Sequence, residues 1–234
     1  MKRTFALAST LVAALTFVGI STPANAATDR YINVSATGTV KVTPDTVRIN
    51  ATVSVVGTTN KAASTSANET ASALRAALKA NGVDTKYIKS QSLSIYPEYN
   101  YTQDKGSVLV GYRASQQFEI IVRNAQNAGT VVDAIVSAGG ENLQLNGVTP
   151  FVYDDANSSA AARTAAITRA KAKATAYAKL LGVKLSSVTY LEETSSPSPY
   201  PIMMATAKMD SGATTVDLGQ QDVSVSVVVR WSIK

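Results

Sequence analysis

Apolar and polar residues alternate in three segments of the chain, and each alternation has the two-residue period of a β-strand. The apolar positions are Ile32, Val34, Ala36, Val40 and Val42 in the first segment, Val47, Ile49, Ala51, Val53 and Val55 in the second, and Val223, Val225, Val227, Val229, Trp231 and Ile233 in the third. Each segment is predicted to be a strand with one buried face. Ser, Thr and Asn occupy much of the other face, which we expect to be wet or to meet another subunit.

Three further segments have apolar residues at the spacing of an α-helix. The first contains Ala63, Ala67, Ala71, Leu74 and Leu78 before Asn81-Gly82, and the second runs from Asn124 to Gly139-Gly140 with Ala128, Val131, Val132 and Ile135. The third follows Asp154-Asp155 and ends at Leu181-Gly182, with a predicted stripe of Ile167, Ala170, Ala174, Tyr177 and Leu181. The two aspartates are predicted to accept hydrogen bonds from the first amides of this helix rather than to bind calcium.

The segment between the first two helices is predicted to be a β-hairpin. Leu93, Ile95, Tyr99 and Tyr101 share one face of its first strand, Val108, Val110, Tyr112, Ala114, Phe118, Ile120 and Val122 share one face of its second, and Asp104-Lys105-Gly106 forms the turn. Because Tyr99, Tyr101 and Tyr112 are in phase with the aliphatic residues, we expect them to pack in the core. Only Tyr96 is out of phase. A stacking platform for sugars or bases would need several rings on the solvent face, alternating with cations.

These elements, with further strands near residues 143–153 and 188–191, give the order β-β-α-β-β-α-β-α-β-β. The predicted fold class is α+β, with a mostly antiparallel sheet and helices packed on one face. The inner β-α-β-β-α-β block, residues 47–153, has the ferredoxin-like sequence of elements.

The first 26 residues have the pattern of a secretory signal peptide rather than of a retained anchor. Lys2 and Arg3 precede an apolar run over residues 5–20, and Ala24-Asn25-Ala26 offers small residues at the cleavage positions. After cleavage no later segment is long and apolar enough to cross a bilayer. The sequence therefore predicts an exported protein that is periplasmic, associated with the cell envelope or secreted. Residues 27–234 are predicted to form one domain, two small domains being the alternative, with a long Pro/Ser/Met-containing loop at 196–218.

The composition argues against the common kinds of enzyme. The chain contains no histidine and no cysteine, which excludes Ser-His-Asp and Cys-His catalysis and removes the most frequent nitrogen and sulfur ligands of zinc, copper and iron. It also lacks the G-x-S-x-G, G-x-G-x-x-G and phosphate-loop motifs. We therefore predict no catalytic residue, cofactor or metal site. A hydrolase that unites Glu192-Glu193 with Asp154 is the last-ranked alternative.

Several segments, taken in order, resemble the SIMPL (DUF541) domain family. They include "TGTVKVTPDTVRI", "GVDTKYIKSQSLSIYPEYNY", "GYRASQQFEIIVRN", "AGGENLQLNGVTPFVYDD", "ARTAAITRAKAKATAYAKLLGVKLSSVTYLEE" and the final alternating strand. In the first segment Ala36 stands where the family usually has the first glycine of a Gly-x-Gly. The resemblance implies an exported bacterial protein that oligomerises and contributes to oxidative-stress tolerance. It implies no catalytic residue.

Two features are candidates for binding a partner. No acidic residue occurs among residues 156–191, which include the third helix. On that helix a cationic face is predicted, formed by Arg169, Lys171, Lys173 and Lys179. That face would suit an anionic envelope component, although a solvated helix surface is the more ordinary explanation. Nucleic acid is not expected, because no aromatic residues alternate with these cations.

The second feature is the methionine content of the long loop. Met203, Met204 and Met209 are thioether ligands suited to Cu(I), or adaptable apolar contacts in an oligomer. The leading hypothesis is thus a non-enzymatic exported protein that assembles into a homo-oligomer or binds an envelope partner. The alternative is a carrier that sequesters a small ligand or Cu(I) with these three methionines.

Overall fold

The computed structural model describes residues 30–194 and 214–234. The predicted signal peptide and the three loop methionines lie outside these residues. Within them the elements follow the predicted order. They are β1 Tyr31–Val42, β2 Thr46–Gly57, α1 Asn60–Ala80, β3 Ile88–Thr102, β4 Gly106–Val122, α2 Ala128–Gly139, β5 Leu143–Phe151, α3 Ala156–Leu180, β6 Leu185–Glu193 and β7 Gln221–Ile233, with short 3₁₀ turns at Thr85–Tyr87, Ala125–Asn127 and Gly140–Asn142.

The inner block forms a four-stranded antiparallel sheet in the order β3-β4-β2-β5. This is the strand order of a ferredoxin-like sheet, so the predicted sequence of elements also has the corresponding topology. Helices α1 and α2 share a hydrophobic cluster with β2 and β4. The largest side chains of this cluster are buried almost completely: Phe118, Ile49, Leu74, Leu78, Ile120 and Ile135.

The remaining strands form a second antiparallel sheet in the order β1-β7-β6, and α3 packs on one of its faces. The α+β class and the antiparallel pairing are confirmed, and the strands divide between two sheets. The inner block lies in the chain between β1 and α3. Gln221 at the start of β7 donates a hydrogen bond to the carbonyl oxygen of Pro150 in β5 at 2.6 Å, which links the two sheets. The single domain over residues 27–234 stays a prediction.

The first helix agrees with its predicted pattern in every buried position. Ala63, Ala67, Ala71, Leu74 and Leu78 are its buried residues. The hydroxyl of Thr59 accepts a hydrogen bond from the Ala62 amide at 3.1 Å and caps the start. At the end, Gly82 has a φ of 79°, and Val83 donates to the Leu78 carbonyl at 3.0 Å.

The predicted stripe of α3 is wrong in its large residues. Ile167, Tyr177 and Leu181 are exposed, and the buried stripe consists of Ala162, Ala166, Ala170, Ala174 and Ala178, with Ser159 at its start. The valines of β7 and Trp231 fill the space beneath the helix. A helix that lies so close to a sheet needs small residues along its contact line, so the larger apolar residues are placed outside it. At the helix start Asp154 accepts a hydrogen bond from the Ala156 amide at 3.0 Å, as predicted, whereas Asp155 at the N-cap position accepts one from the Ser159 hydroxyl at 3.1 Å and none from an amide.

The backbone of α3 comes very close to the sheet at Gly38 in β1. A Cβ atom at this position would lie 2.0 Å from the backbone oxygen of Ala162 and 2.4 Å from the backbone nitrogen of Ala166. Both are backbone atoms of a packed helix and cannot move without displacing it. Ala36, two residues earlier, is half-buried against the same cluster. The contact therefore requires glycine at position 38 and tolerates a methyl group at position 36.

We expect Gly38→Ala to destabilise the fold, because its methyl group must push α3 away from β1. The free energy of unfolding should fall by about 2 kcal/mol or more, which is typical of a side chain forced into a packed contact. Urea unfolding followed by circular dichroism measures it. Gly147→Ala in β5 is the control, because a Cβ there meets no atom within 4 Å. An equal loss of stability in both variants would contradict this account of the contact.

Candidate functional site

The hairpin of β3 and β4 extends beyond the rest of its sheet. Strand β4 has 17 residues and its neighbour β2 has 12. Pairing between β2 and β4 ends at Gly57 and Tyr112, whereas β3 and β4 stay paired as far as Thr102 and Gly106. Residues 98–111 thus form a two-stranded ribbon, beside which the described part of the chain places no third strand, and we call this ribbon the hairpin arm.

The hairpin arm exposes apolar side chains that the sequence pattern predicted to be buried. Tyr101 is 76% exposed, Tyr99 58% and Val110 56%. Val108 is also exposed, as are Leu93 and Ile95, which precede the arm in β3. The prediction of core packing was wrong for all six, because neither α1 nor α2 covers this part of the hairpin. It is confirmed for Tyr112, which packs against the four-stranded sheet's cluster.

Apolar residues lie on both faces of the hairpin arm. Successive residues of a strand point to opposite faces, and Val108, Leu109 and Val110 are all exposed. Tyr99 pairs with Leu109, and Asn100 pairs with Val108. An exposed apolar surface of this kind is a candidate site of association.

The root of the hairpin arm is fixed to the sheet by a charged side chain. One nitrogen of Arg113 lies 2.6 Å from a carboxylate oxygen of Glu98, and another donates to the hydroxyl of Ser54 at 2.9 Å. The hydrogen bond to Glu98 raises the pKa of Arg113 above its ordinary value. The three residues belong to three adjacent strands, so they hold the ribbon in line with β2 where it leaves the sheet.

Two of the four predicted partner-binding cations on α3 have a role within the fold. Arg169 donates to the backbone oxygen of Thr37 at 2.7 Å, and Lys173 donates to that of Ser35 at 3.3 Å. Strand β1 is an edge of its sheet. Cations placed over the free carbonyls of an edge strand discourage another strand from pairing with it. Lys171 and Lys179 are exposed, and the structure gives neither of them a partner among the described residues.

The last residues of the predicted long loop are attached to α2. Asp133 accepts hydrogen bonds from the amide and the hydroxyl of Thr214, at 3.0 and 2.5 Å. These two donors lower the pKa of the Asp133 carboxyl. Val216 and Leu218 then pack against the four-stranded sheet's cluster. Residues 214–218 are therefore part of the folded body.

The acidic residues considered for hydrolysis have other partners. Glu193 forms a two-point ion pair with Arg163, at 2.6 and 3.0 Å, which lowers the pKa of the Glu193 carboxyl. Glu192 accepts a hydrogen bond from the Tyr190 hydroxyl. A carboxylic acid that donates a proton near neutral pH needs a raised pKa, so this arrangement gives no support to acid catalysis by Glu193. Within residues 30–194 and 214–234, no three acidic groups are placed to hold a metal ion.

Polar side chains cover the second face of the β1-β7-β6 sheet, as the sequence indicated. Hydroxyl groups pair across the strands at Thr37 and Ser226 and at Thr39 and Ser224, with oxygens 2.8 and 2.9 Å apart. Within each pair, the two hydroxyl groups satisfy each other's hydrogen-bonding capacity. None of the helices in the described part of the chain combines the length and hydropathy of a membrane span.

Comparison with known proteins finds one family over most of the chain. The SIMPL family model, described as "Protein of unknown function (DUF541)", matches residues 32–231. The 26 kDa periplasmic immunogenic protein of Brucella melitensis biotype 1 is 29% identical over 218 residues, which cover 87% of this chain and 84% of that protein. The uncharacterized protein YggE of Escherichia coli K12 is 30% identical over 198 residues, which cover 83% and 79%. YggE of Edwardsiella ictaluri is 28% identical over 183 residues, which cover 76% and 74%.

We expect the combined variant Arg169→Met and Lys173→Met to be less stable than the parent protein, because two edge carbonyls of β1 lose their donors. The loss should be about 1 kcal/mol in the free energy of unfolding, which is the usual size for exposed hydrogen bonds. The control is Lys171→Met with Lys179→Met, which removes the same charge from the same helix. Urea midpoints that are lowered equally in the two variants would show that the carbonyl contacts do not matter.

The Asp133 contact should depend on pH. Because its pKa lies below the ordinary 3.8, the contact is complete above that value and is lost as the pH falls through the lowered pKa. The amide proton of Thr214, followed by NMR, should titrate with a midpoint below 3.8. In Asp133→Asn the amide should show no titration in this range. A Thr214 signal that titrates in both proteins would contradict the assignment.

Proposed function

The chain belongs to the SIMPL (DUF541) family, and we propose that it is a non-enzymatic exported protein of the periplasm or cell envelope that works by self-assembly. In this proposal copies of the chain associate through the hairpin arm, residues 98–111. The exposure of Tyr99, Tyr101, Leu109 and Val110 is the observation on which the proposal depends.

Burial of the hairpin arm would contribute a large free energy of association. Each large apolar side chain that is removed from water contributes about 1.5–3 kcal/mol. Several such side chains on one ribbon are enough to offset the entropy that is lost when two folded chains associate. Because both faces of the ribbon are apolar, a partner on one face leaves the other available. This favours an assembly of several copies over a simple pair.

The occupant we propose is a second copy of the chain, contacted by side chains rather than by an added strand. Strand β3 is an edge of its sheet, but Pro97 lies within it and has no amide hydrogen to donate. The pairing of β3 with β4 also shifts between Ser90 and Ser92 and between Glu98 and Tyr99. Such irregularities interrupt a continuous ladder. Most protein assemblies are homo-oligomers, which is the simplest partner for a surface of this kind.

Export is supported by two observations. The first 26 residues have the pattern of a signal peptide, and the similar protein of Brucella melitensis is named periplasmic. The absence of histidine and cysteine from the chain supports a function without covalent chemistry. A role in oxidative-stress tolerance is implied by the family resemblance alone.

An anionic envelope component is a second proposed partner. Lys171 and Lys179 on α3 remain candidates for its contact, whereas Arg169 and Lys173 are engaged with β1. Sequestration of Cu(I) by Met203, Met204 and Met209 stays a prediction. These residues lie outside the described ones, and no observation on the rest of the chain favours it over assembly.

We expect the variant Tyr101→Ser with Leu109→Ser to assemble at least about tenfold more weakly than the parent protein. Each lost side chain removes about 1.5–3 kcal/mol of apolar burial, and about 1.4 kcal/mol corresponds to a tenfold change in affinity. Analytical ultracentrifugation of residues 27–234 over a wide concentration range measures it. Both side chains are exposed in the structure, so their replacement should leave the circular dichroism spectrum unchanged.

The matched control is Tyr177→Ser with Leu180→Ser, which removes one exposed tyrosine and one exposed leucine from α3. It should assemble like the parent protein. A parent protein that stays monomeric at every concentration would end the proposal. So would a control that loses as much association as the arm variant.

A further inference from the structure

A groove lies on the four-stranded sheet, away from the hairpin arm. It lies beside the first residues of β3 and the last residues of β4 and β5, and its volume is about 430 Å³. Its lining residues are Lys86, Tyr87, Lys89, Glu119, Ile121 and Tyr153. We call it the tyrosine groove. The rings of Tyr87 and Tyr153 meet edge to face, with centres 6.4 Å apart.

Arg123 lies beside the tyrosine groove, over the ring of its lining residue Tyr153. Its guanidinium carbon is 3.4 Å from the ring centre of Tyr153 and 5.8 Å from that of Tyr87. Arg123 lines an adjoining cavity of about 150 Å³, which shares Tyr87 and Ile121 with the groove. A guanidinium placed over a ring still carries N–H groups that can bind a carboxylate or phosphate at two points.

The groove carries an excess of positive charge. Among the described residues, neither Lys89 nor Arg123 has a carboxylate within ion-pair distance. Lys86 is 3.2 Å from Asp84, and the one acid in the groove, Glu119, is 3.7 Å from Arg48. The paired charges cancel, so two cations remain to attract an anion.

Polar side chains continue from the groove across the open face of the sheet. Asn50 is opposite Glu119 in the β2–β4 register, and Thr52 is opposite Gln117. Since alternate residues share a face, these side chains lie on the face of Glu119. Amide groups both donate and accept hydrogen bonds, as a ligand with several hydroxyl groups requires. The two unpaired cations can bind a carboxylate, the tyrosine rings can pack against a sugar ring, and the amides can bind hydroxyl groups. Together they match the chemistry of a charged sugar.

We propose that the tyrosine groove binds a carboxylate-bearing sugar unit of an anionic glycan. The carboxylate is bound by Arg123 and Lys89, the sugar ring packs against Tyr87 and Tyr153, and neighbouring units extend over Asn50 and Gln117. The proposal rests on the part of the proposed function that gives the protein an anionic envelope partner. It assigns that contact to the groove instead of α3, and it is independent of assembly through the hairpin arm.

The test is an NMR titration of the mature protein at low salt with tetragalacturonate, maltotetraose and tetrathymidylate. We expect tetragalacturonate to shift the amide signals of Lys89, Ile121, Arg123 and Tyr153, and maltotetraose, its neutral counterpart, to bind at least about tenfold more weakly because it lacks the carboxylates. Lys89→Gln with Arg123→Gln should reduce the affinity for tetragalacturonate at least tenfold. Lys89→Gln alone, which removes no contact seen in the structure, should reduce it severalfold.

The matched control is Lys171→Gln with Lys179→Gln, which loses the same charge from α3 and should bind like the parent protein. Equal binding of the charged and neutral sugars would overturn the proposal. Tighter binding of tetrathymidylate would replace the glycan with a nucleic acid, and an effect of the α3 control as large as that of the groove variant would return the contact to the helix. The same titration on Tyr101→Ser with Leu109→Ser should be unchanged, so that failure of assembly and failure of glycan binding give different results.

Discussion

The unequal length of neighbouring strands is the constraint on which the account of this molecule depends. Strand β2 ends at Gly57, and β4 begins its pairing with β3 well beyond that point. A two-stranded ribbon has no third strand and no helix to cover its side chains. The hairpin arm is therefore apolar and exposed in a single chain, while Arg113 holds its root in line with the sheet. The surface that we propose for assembly follows from this mismatch.

The rest of the fold separates structural charges from free ones. Arg169 and Lys173 bind the β1 edge, Arg163 binds Glu193, and Arg113 binds Glu98. Many other cations in the described part of the chain have no such partner, and two of them, Lys89 and Arg123, lie in or beside the tyrosine groove. The close contact of α3 with Gly38 explains why a helix with so many cations still lies firmly on its sheet. The charges on α3 point away from an alanine contact line, and two of them reach around it to the neighbouring strand.

Much of the fold could be predicted from the sequence, because periodicity and helix ends are local signals. The α1 stripe, its end at Gly82 and the alternation in β7 depend on residues a few positions apart. The exposure of Tyr99 and Tyr101 depends instead on where β2 ends, which is set by a distant segment. The run Val108-Leu109-Val110 was a signal that the alternation had stopped. In α3 the informative local signal was the alanine at every fourth position from Ala162 to Ala178. It identifies the contact line of the helix better than the larger residues do. The tyrosine groove joins Tyr87, Ile121 and Tyr153 from three separate segments, and no local pattern places them together.

The central claim is that the hairpin arm is uncovered in one chain and covered in the assembly. Hydroxyl-radical footprinting read by mass spectrometry, performed on the mature protein from dilute to concentrated solution, tests it most directly. The account predicts that oxidation of Tyr99 and Tyr101 falls as the concentration rises, while that of Tyr177 on α3 stays constant. Equal oxidation of Tyr99 and Tyr101 at every concentration, in a sample that does assemble, would show that the copies meet elsewhere and would contradict the account.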